Sequence, residues 1–296
     1  MTPSVGRGIS LMIGFALVVP IVDGVAKYLI GFGYAPLFAV WGRYVANLCV
    51  VLILIWSGLG QSPFSVQNKP LQFLRAIFML ASTSLFFTAL KTTPLADGIA
   101  ILFTYPFIIT ALAPFFLGER AGLHRWTALV FGFIGALLII RPFGGTVEIG
   151  HFLALGAAFC FSLYSLLTRH LSAKSDPLAI LAFQGMVGAV LMSAVVPFTW
   201  AMPSAAHIGL FALIGVLSTL GHFMLISAYA HAPAPVLAPF GYFEIVTAAI
   251  VGLVVFGDLP DAWSWAGITI IITSGIYISY REQRVKARAQ AQENSK

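Results

Sequence analysis

Long apolar runs, separated by short polar turns or by turns containing glycine and proline, form the dominant pattern of the chain. Because a helix needs about 20 residues to cross the hydrocarbon of a bilayer, runs of this length predict transmembrane helices. Strands of a transmembrane barrel would instead alternate apolar and polar residues over about 10 positions. Ten runs are identified, at 8–29, 36–56, 71–91, 94–117, 126–141, 149–169, 177–199, 206–229, 233–256 and 263–280. The pattern predicts an all-α integral membrane protein with ten transmembrane helices.

The composition supports a membrane protein and leaves little room for another domain. Of the 296 residues, 59% are hydrophobic and 9% are Asp, Glu, Lys or Arg, whereas about a quarter of an ordinary soluble protein is charged. Ten crossings use about 200 residues, so no soluble domain fits into the connecting segments. Cys49 and Cys160 both lie inside apolar runs, which excludes a disulfide framework and a paired-cysteine metal or redox site. We expect no cofactor and no metal ion.

The formal net charge is +6, and most basic residues occur singly at the ends of apolar runs, where they orient helices in a membrane. They do not form a patch that would bind nucleic acid. If the N-terminus lies in the cytoplasm, the outer side receives only Lys27, Lys91 and Arg141. The cytoplasmic side then receives the larger set, which is Arg7, Lys69, Arg75, Arg120, Arg125, Arg169, Lys174 and the basic residues from Arg281 onward. This imbalance predicts a multi-pass protein of the bacterial inner membrane with both termini in the cytoplasm. The basic tail at 282–296 is then cytoplasmic.

The two halves of the chain repeat one pattern without a gap. The matched residues, first half and then second half, are Pro94 and Pro233, Leu117-Gly118-Glu119 and Phe256-Gly257-Asp258, and Trp126 and Trp265. The halves run from 1 to 141 and from 149 to 281, and each holds five runs. Because five is odd, the second half enters the membrane in the opposite direction. Such inverted repeats are typical of transporters that expose one central site to each side in turn.

Each half has a turn in which glycine precedes an acidic residue, Gly118-Glu119 and Gly257-Asp258. We interpret these turns as structural, because glycine can adopt the left-handed conformation that ends a helix and an acid is favourable near the next helix N-terminus. The second turn also carries Asp261 and no basic residue, so it is expected on the outer side.

The repeated segments resemble a known family. The matching sequences are Tyr105-Pro106 to Leu117-Gly118-Glu119-Arg120 and Glu244-Ile245-Val246 to Phe256-Gly257-Asp258. They resemble the drug/metabolite transporter superfamily, in particular its EamA-type ten-helix exporters, with a general likeness to bacterial exporters of aromatic amino acids. The resemblance covers nearly the whole chain. It implies a basket of helices 1, 3, 4, 6, 8 and 9 around a central cavity, with helices 5 and 10 more peripheral.

The ninth run departs from the family pattern at one point. Where the family often has Glu-Pro, this chain has Glu244 followed by Ile245. A helix break in this run is therefore expected from Pro235 and Pro239, and a hinge at Glu244 itself is not supported.

Glu244 is the ionisable residue that most needs an explanation. It lies about ten residues into the ninth run, close to the middle of the membrane, and its register partner in the first half is Tyr105. A charge in hydrocarbon costs several kcal/mol unless it is paired or hydrated. Glu244 is therefore either a protonated, hydrogen-bonded structural residue or a residue that handles substrate or protons.

The resemblance also places aromatic side chains at the cavity. The candidates are Phe103, Tyr105, Tyr164, Tyr229, Phe240 and Tyr242, of which about half are expected to contact substrate. His222, in the eighth run, either lines the cavity or packs with a hydrogen bond. Together with Glu244 these residues form the predicted substrate-binding set.

Two further charges lie inside the first runs. Asp23 and Arg43 are expected at one depth and could form an ion pair. Asp23 and Lys27 are also spaced i, i+4, so a local salt bridge near the outer surface is the alternative. Either pairing would be structural.

Five prolines lie within the runs and mark expected kinks, because proline removes a backbone donor. They are Pro20, Pro106, Pro114, Pro235 and Pro239. Four of them fall on the fourth and ninth runs, which are related by the repeat. We therefore expect these two helices to act as moving gates.

These features predict a transporter that exports small metabolites, aromatic and hydrophobic amino acids first, by alternating access. Drugs or other amphiphilic metabolites are the alternative substrates. An intramembrane enzyme is disfavoured, because HExxH and GxSxG are absent and Val255 replaces the first glycine of a GxGD motif. A channel would show a filter loop or a ring of like charges, which Glu244 alone does not make. The expected partners are the lipid bilayer and a small molecule; a monomer is plausible, and proton coupling stays open.

Overall fold

Helices account for nearly all of the protein that the computed structural model describes, which is residues 5–117, 123–141, 148–171, 175–232 and 234–293. The helices are α1 (Val5–Gly31), α2 (Pro36–Trp56), α3 (Lys69–Ala89), α4 (Leu95–Leu102), α5 (Tyr105–Leu117), α6 (Leu123–Ile140), α7 (Ile149–Leu171), α8 (Pro177–Val195), α9 (Ala205–His231), α10 (Ala234–Gly241), α11 (Phe243–Val251) and α12 (Ala262–Glu293). Among the described residues there is no strand, nine segments are long and apolar enough to cross a membrane, and Trp126–Ile140 is a shorter apolar helix. The predicted all-α membrane fold is confirmed.

The helices pack in the pattern expected of two inverted halves. The first crossing of each half packs on the third crossing of the other, since α1 contacts α9 and α7 contacts α3. The second crossings pack on each other as α2 and α8, and the fifth crossings pack on each other as α6 and α12. Exchanging the two halves leaves this list of partners unchanged, as a pseudo-two-fold relation requires.

The α6–α12 pair holds together through small residues. A Cβ atom on Gly135 would lie 2.8 Å from the carbonyl oxygen of Gly267, and one on Gly267 would lie 2.5 Å from the carbonyl oxygen of Gly135. Glycine therefore lets the two backbones approach closely, which is the usual route to tight packing where lipid supplies no hydrophobic drive.

The fourth crossing is broken at Phe103 and Thr104, between α4 and α5. Pro106 explains the break, because it has no amide hydrogen and its ring would clash with the carbonyl of residue 102 in a continuous helix. The Thr104 hydroxyl donates to the Ile101 carbonyl at 2.8 Å and so satisfies one of the carbonyl groups at the end of α4.

The ninth crossing is broken at Tyr242, between α10 and α11. Pro239 lies inside α10, three residues before the break, and Glu244 lies two residues after it. The break follows Pro239, as expected from the prolines of this run, and whether a hinge lies at Glu244 stays a prediction. In the repeat register Tyr242 matches Phe103, so both halves break at the same position.

The remaining candidate hinge prolines lie in helical segments. α1 is continuous through Pro20, α5 includes Pro114, and Pro235 is the second residue of α10. Their role as hinges stays a prediction.

The second glycine–acid turn has the predicted glycine conformation but a different role for its acid. Gly257 has a φ of 72°, in the left-handed region, and ends the π-helical turn Gly252–Phe256 that follows α11. Asp258 does not cap α12; its carboxylate accepts a hydrogen bond from Lys27 Nζ at 3.3 Å. Asp261 caps α12 instead, accepting from the Ser264 amide at 2.9 Å. The first turn, 118–122, lies outside the described residues.

Two ion pairs fasten one end of the bundle. Lys27, in the last turns of α1, pairs with Asp258 and also donates to the Thr93 carbonyl at 3.1 Å. Arg141, directly after α6, pairs with Asp261 at the start of α12. All of these groups were expected on the outer side from the sequence, and the fold brings them to the same end of the bundle.

The Arg141–Asp261 pair should make stability depend on acidity. Hydrogen bonding from Arg141 and from the Ser264 amide lowers the pKa of Asp261 from 3.8 to about 2. A carboxyl with a lowered folded-state pKa stabilises the protein above its unfolded pKa, and this contribution is lost as the pH falls from about 4 to 2. Because the Asp261 side chain is 52% exposed, we expect Asp261→Asn to cost no more than about 1 kcal/mol at neutral pH.

The measurement is thermal unfolding of detergent-solubilised protein between pH 7 and pH 2. Wild type should unfold at a higher temperature than Asp261→Asn at pH 7, and the two should converge towards pH 2. A constant difference across this range would contradict the assignment.

Candidate functional site

A continuous series of aromatic rings runs through the middle of the bundle and starts at the two helix breaks. The ring of Tyr242 lies 5.0 Å from that of Phe103, which lies 5.7 Å from that of Tyr105. Tyr105 contacts Phe161 at 4.9 Å, and Phe161 contacts Tyr164 at 5.5 Å. This aromatic series of five residues joins both broken crossings to α7. Such rings offer faces and edges on which a ring-bearing molecule can stack.

The aromatic series ends on a buried arginine. The Arg75 guanidinium carbon lies 5.2 Å from the centre of the Tyr164 ring, a cation–π contact. Arg75 is 0% exposed. Its Nε donates to Gln72 Oε1 at 3.0 Å, and its terminal nitrogens donate to Thr168 Oγ1 at 3.3 Å and to the Ile180 carbonyl at 3.4 Å. The arginine therefore links α3, α7 and α8 through neutral acceptors.

Glu244 lies beside Tyr105, the middle ring of the aromatic series, in the first turn of α11. It is 6% exposed, and within the described residues no cation and no hydrogen-bond donor bonds to it. Tyr105 and Tyr229 are its electrostatic neighbours, as is the carboxyl of Asp23. The break at Tyr242 creates a helix N-terminus beside it, and the positive end of that helix dipole favours an acidic group.

Asp23 and Arg43 form a buried ion pair, as their common depth predicted. The distance from Arg43 Nη1 to Asp23 Oδ1 is 3.8 Å, and the guanidinium carbon lies 5.5 Å from the centre of the Phe87 ring. The alternative pairing of Asp23 with Lys27 is not formed, because Lys27 contacts Asp258. The pair neutralises two charges between α1 and α2.

The other predicted site residues differ in their surroundings. His222 is buried, and its Nδ1 lies 3.0 Å from the Ser218 carbonyl one turn earlier in α9. Tyr229, near the end of α9, is 42% exposed and interacts electrostatically with Tyr164 and Glu244. Phe240 packs with apolar residues of α1 and α9 and does not join the aromatic series.

Sequence reasoning missed two members of this centre. Arg75 was counted only among the charges that orient the chain, whereas the structure places it six residues into α3 and fully buried. The available signal was its position inside an apolar segment, three residues after Gln72 on the same helix face. Phe161 was not singled out, and nothing in the sequence distinguished it from the other phenylalanines of α7.

Comparison with known proteins identifies the class of protein that this fold and centre define. The model of the EamA-like transporter family matches the chain twice, at residues 6–141 and 148–280. The chain therefore belongs to the EamA-like transporter family.

Individual relatives in this family are transporters of different molecules. The chain is 29% identical over 293 residues to a riboflavin transporter of Vibrio cholerae, with 95% of this chain and 96% of the relative covered. It is 26% identical to an S-adenosylmethionine uptake transporter of Rickettsia felis, covering 77% and 78%. It is 28% identical to a pseudopaline exporter of Pseudomonas aeruginosa, covering 79% and 82%.

A solved crystal structure has the same fold. It aligns with a TM-score of 0.65 at 17% identity and covers 92% of this chain and 97% of the other. At this identity the likeness supports the fold alone.

Proposed function

We propose that this transporter carries small ring-bearing metabolites with a charged or polar head across the bacterial inner membrane by alternating access. The observation that carries the proposal is the aromatic series between Glu244 and Arg75, which places stacking surfaces between two ionisable groups in the middle of the bundle. A site of this kind, mainly aromatic with a few polar groups, suits an amphiphilic small molecule.

Aromatic amino acids, moved outward, are the substrates expected from the sequence, and they have the required chemistry of a ring joined to a charged head. The names of the relatives extend the candidates to S-adenosylmethionine, which joins a heteroaromatic ring to an amino-acid head, and to riboflavin, which joins a fused ring to a polar chain. The decisive experiment measures flux of labelled tryptophan, phenylalanine, S-adenosylmethionine and riboflavin in proteoliposomes. Transport of none of these by folded protein would contradict the proposal.

The role of the aromatic series can be tested within α7. Phe161→Leu keeps an apolar side chain but removes one stacking surface for a substrate ring, worth about 1 kcal/mol, so KM for a ring-bearing substrate should rise about 5-fold. Phe159, two residues earlier, is 48% exposed and makes no ring contact with the series. Phe159→Leu is the matched control and should leave KM unchanged. Equal effects of the two substitutions would remove the aromatic series from the binding site.

The orientation can be tested by labelling single cysteines in a chain whose native cysteines are replaced. We propose that both termini and the segment 60–68 are cytoplasmic, whereas the turn 257–261 faces outward, because the basic residues are unequally distributed. In intact cells a membrane-impermeant maleimide should react with Leu259→Cys and not with Ser62→Cys. After lysis both should react. The reverse pattern in intact cells would invert the topology.

Glu244 is proposed as the coupling residue, where protonation alternates with substrate binding. Glu244→Gln keeps the shape and the hydrogen-bonding capacity but cannot titrate, so it should flatten the dependence of flux on pH. Glu148, directly before α7, provides the control, and Glu148→Gln should keep the wild-type profile. Flux is measured against pH in the same vesicle preparation and normalised to folded protein.

An unchanged pH profile with full activity in Glu244→Gln would remove Glu244 from the mechanism. Facilitated diffusion down the substrate gradient would then be the simpler account.

A further inference from the structure

Arg75 is a buried cation whose charge no described residue balances. The chain offers an internal comparison, because Arg43 is also buried and also lies over an aromatic ring, but Arg43 has the Asp23 carboxylate as its partner. Arg75 has neutral partners among the described residues: an amide oxygen, a hydroxyl, a backbone carbonyl and the side chain of Tyr164. A buried charge is costly unless it is paired. The fold therefore maintains an uncompensated positive charge near the centre.

Hydrogen-bond donors remain available around this charge. A guanidinium has five N–H groups, and the bonds of Arg75 to Gln72, Thr168, Ile180 and Tyr164 use at most four of them. The Gln72 side chain accepts from Arg75 through Oε1, while its Nε2 is buried and has no hydrogen-bond partner. Buried donors of this kind are rare in folded proteins and call for an explanation. Here the unused donors belong to two residues that already hold each other in place.

A crevice lies against the same two side chains. It is too narrow to admit a water molecule in this conformation, and its lining consists of Gln72, Arg75, Thr168, Leu171, Ile180 and Ile226. The lining contains a cation, an amide and a hydroxyl but no acidic group. Thr168 already donates its hydroxyl to the Tyr164 carbonyl, so its oxygen serves as an acceptor for Arg75. The crevice thus provides positive charge and donors for which the described residues supply no anion.

The position of the crevice connects it to the proposed substrate site. Arg75 lies against Tyr164, the last ring of the aromatic series, whereas Glu244 lies beside Tyr105, its middle ring. A molecule stacked on these rings would have one end directed to a cation and the other to a carboxyl group. Among the described residues neither Arg75 nor Glu244 has an oppositely charged partner, which matches a molecule with an anionic group at one end and a polar head at the other.

We propose that Arg75 and Gln72 form a subsite for an anionic oxygen group of the transported molecule, with its ring on Tyr164 and the aromatic series. This inference rests on the proposed transport function and narrows the substrates to molecules that carry a carboxylate or a phosphate. A guanidinium fork and a neighbouring amide can bind either group through two parallel hydrogen bonds.

The test uses probe pairs that differ only in the anionic group. Tryptophan and tryptamine differ by a carboxylate, and riboflavin 5′-phosphate and riboflavin differ by a phosphate. Binding to the detergent-purified full-length chain is measured by the shift in unfolding temperature across a probe titration, and flux is measured separately in proteoliposomes. Wild type should bind the anionic member of at least one pair 10-fold or more tightly than its partner. The pair that shows this preference identifies the anionic group.

Substitutions then assign the preference to the crevice. Arg75→Gln should abolish it, and Gln72→Leu, which leaves the cation in place, should weaken it and provides a second variant if Arg75→Gln does not fold. Arg43→Gln is the matched control, because it removes an equally buried guanidinium outside the crevice. It should lower the unfolding temperature, since Asp23 loses its partner, but keep the preference.

The outcomes separate this inference from the proposed function. A preference that survives in both Arg75→Gln and Gln72→Leu, or no preference in either probe pair, would overturn the subsite. Absence of flux with all four probes, together with an Arg75-dependent binding preference, would contradict transport of these molecules and leave the anion subsite standing.

Discussion

The absence of water in the hydrocarbon is the constraint on which the rest of this structure depends. Each polar group inside the bilayer must find its partner within the protein. Many do so within one helix, and others do so between helices: the Trp41 indole donates to Ser193, and the Asn47 amide donates to Thr219. The Ser82 hydroxyl donates to the Ala157 carbonyl across the α3–α7 contact. Against this background, a buried ionisable group without a charged partner is an exception that needs a reason.

The repeat determines where the exceptions gather. Both halves break their fourth crossing at the same register position, and the two residues at the breaks, Phe103 and Tyr242, pack on each other. A break frees backbone groups and starts a new helix N-terminus in mid-membrane, a device that transporters use to build binding sites. The halves are not identical at this point, however, because Tyr105 of one occupies the place of Glu244 in the other. The break that both halves share shapes the proposed site, and the difference between the halves supplies its carboxyl group, Glu244.

The sequence predicts features that depend on how deep a residue lies in the membrane. It does not predict those that depend on which side of a helix faces the protein interior. The run predicted at 36–56 coincides with α2 because proline at its start and a polar turn at its end mark both boundaries. Asp23 and Arg43 were recognised as possible partners because Asp23 lies about one turn and Arg43 about two turns from the same surface. Phe161 and Phe159 have nearly the same depth, yet only Phe161 faces the interior. Apolar residues occur on every side of these helices, so periodicity does not tell the lipid face from the protein face.

Depth in the membrane is a poor guide to burial for residues close to a helix end. Arg75 follows the start of α3 by about 9 Å, near enough to resemble an orientation charge, but neighbouring α7 and α8 cover it completely. The partner of Lys27 lies 231 residues away in the chain and becomes adjacent only when the halves pack. The positive charge of Lys27 is paired with a carboxylate at the end of the bundle, whereas the described hydrogen-bond partners of Arg75 are all neutral.

That difference has an energetic consequence for the empty protein. An uncompensated cation at Arg75 makes the packed centre less stable than it would be with an anion in place, and a bound anion that interacts only with this arrangement shifts the population towards it. A ligand can shift a conformational equilibrium only by its difference in affinity for the two states. Among the described residues no carboxylate pairs with Arg75, so an anion would bind more tightly to the conformation in which its N–H groups are fixed in direction. Gln72, Thr168 and Ile180 fix them by holding the guanidinium. In the proposed subsite, the same charge lets an anionic substrate favour this packed arrangement over one in which the guanidinium is hydrated.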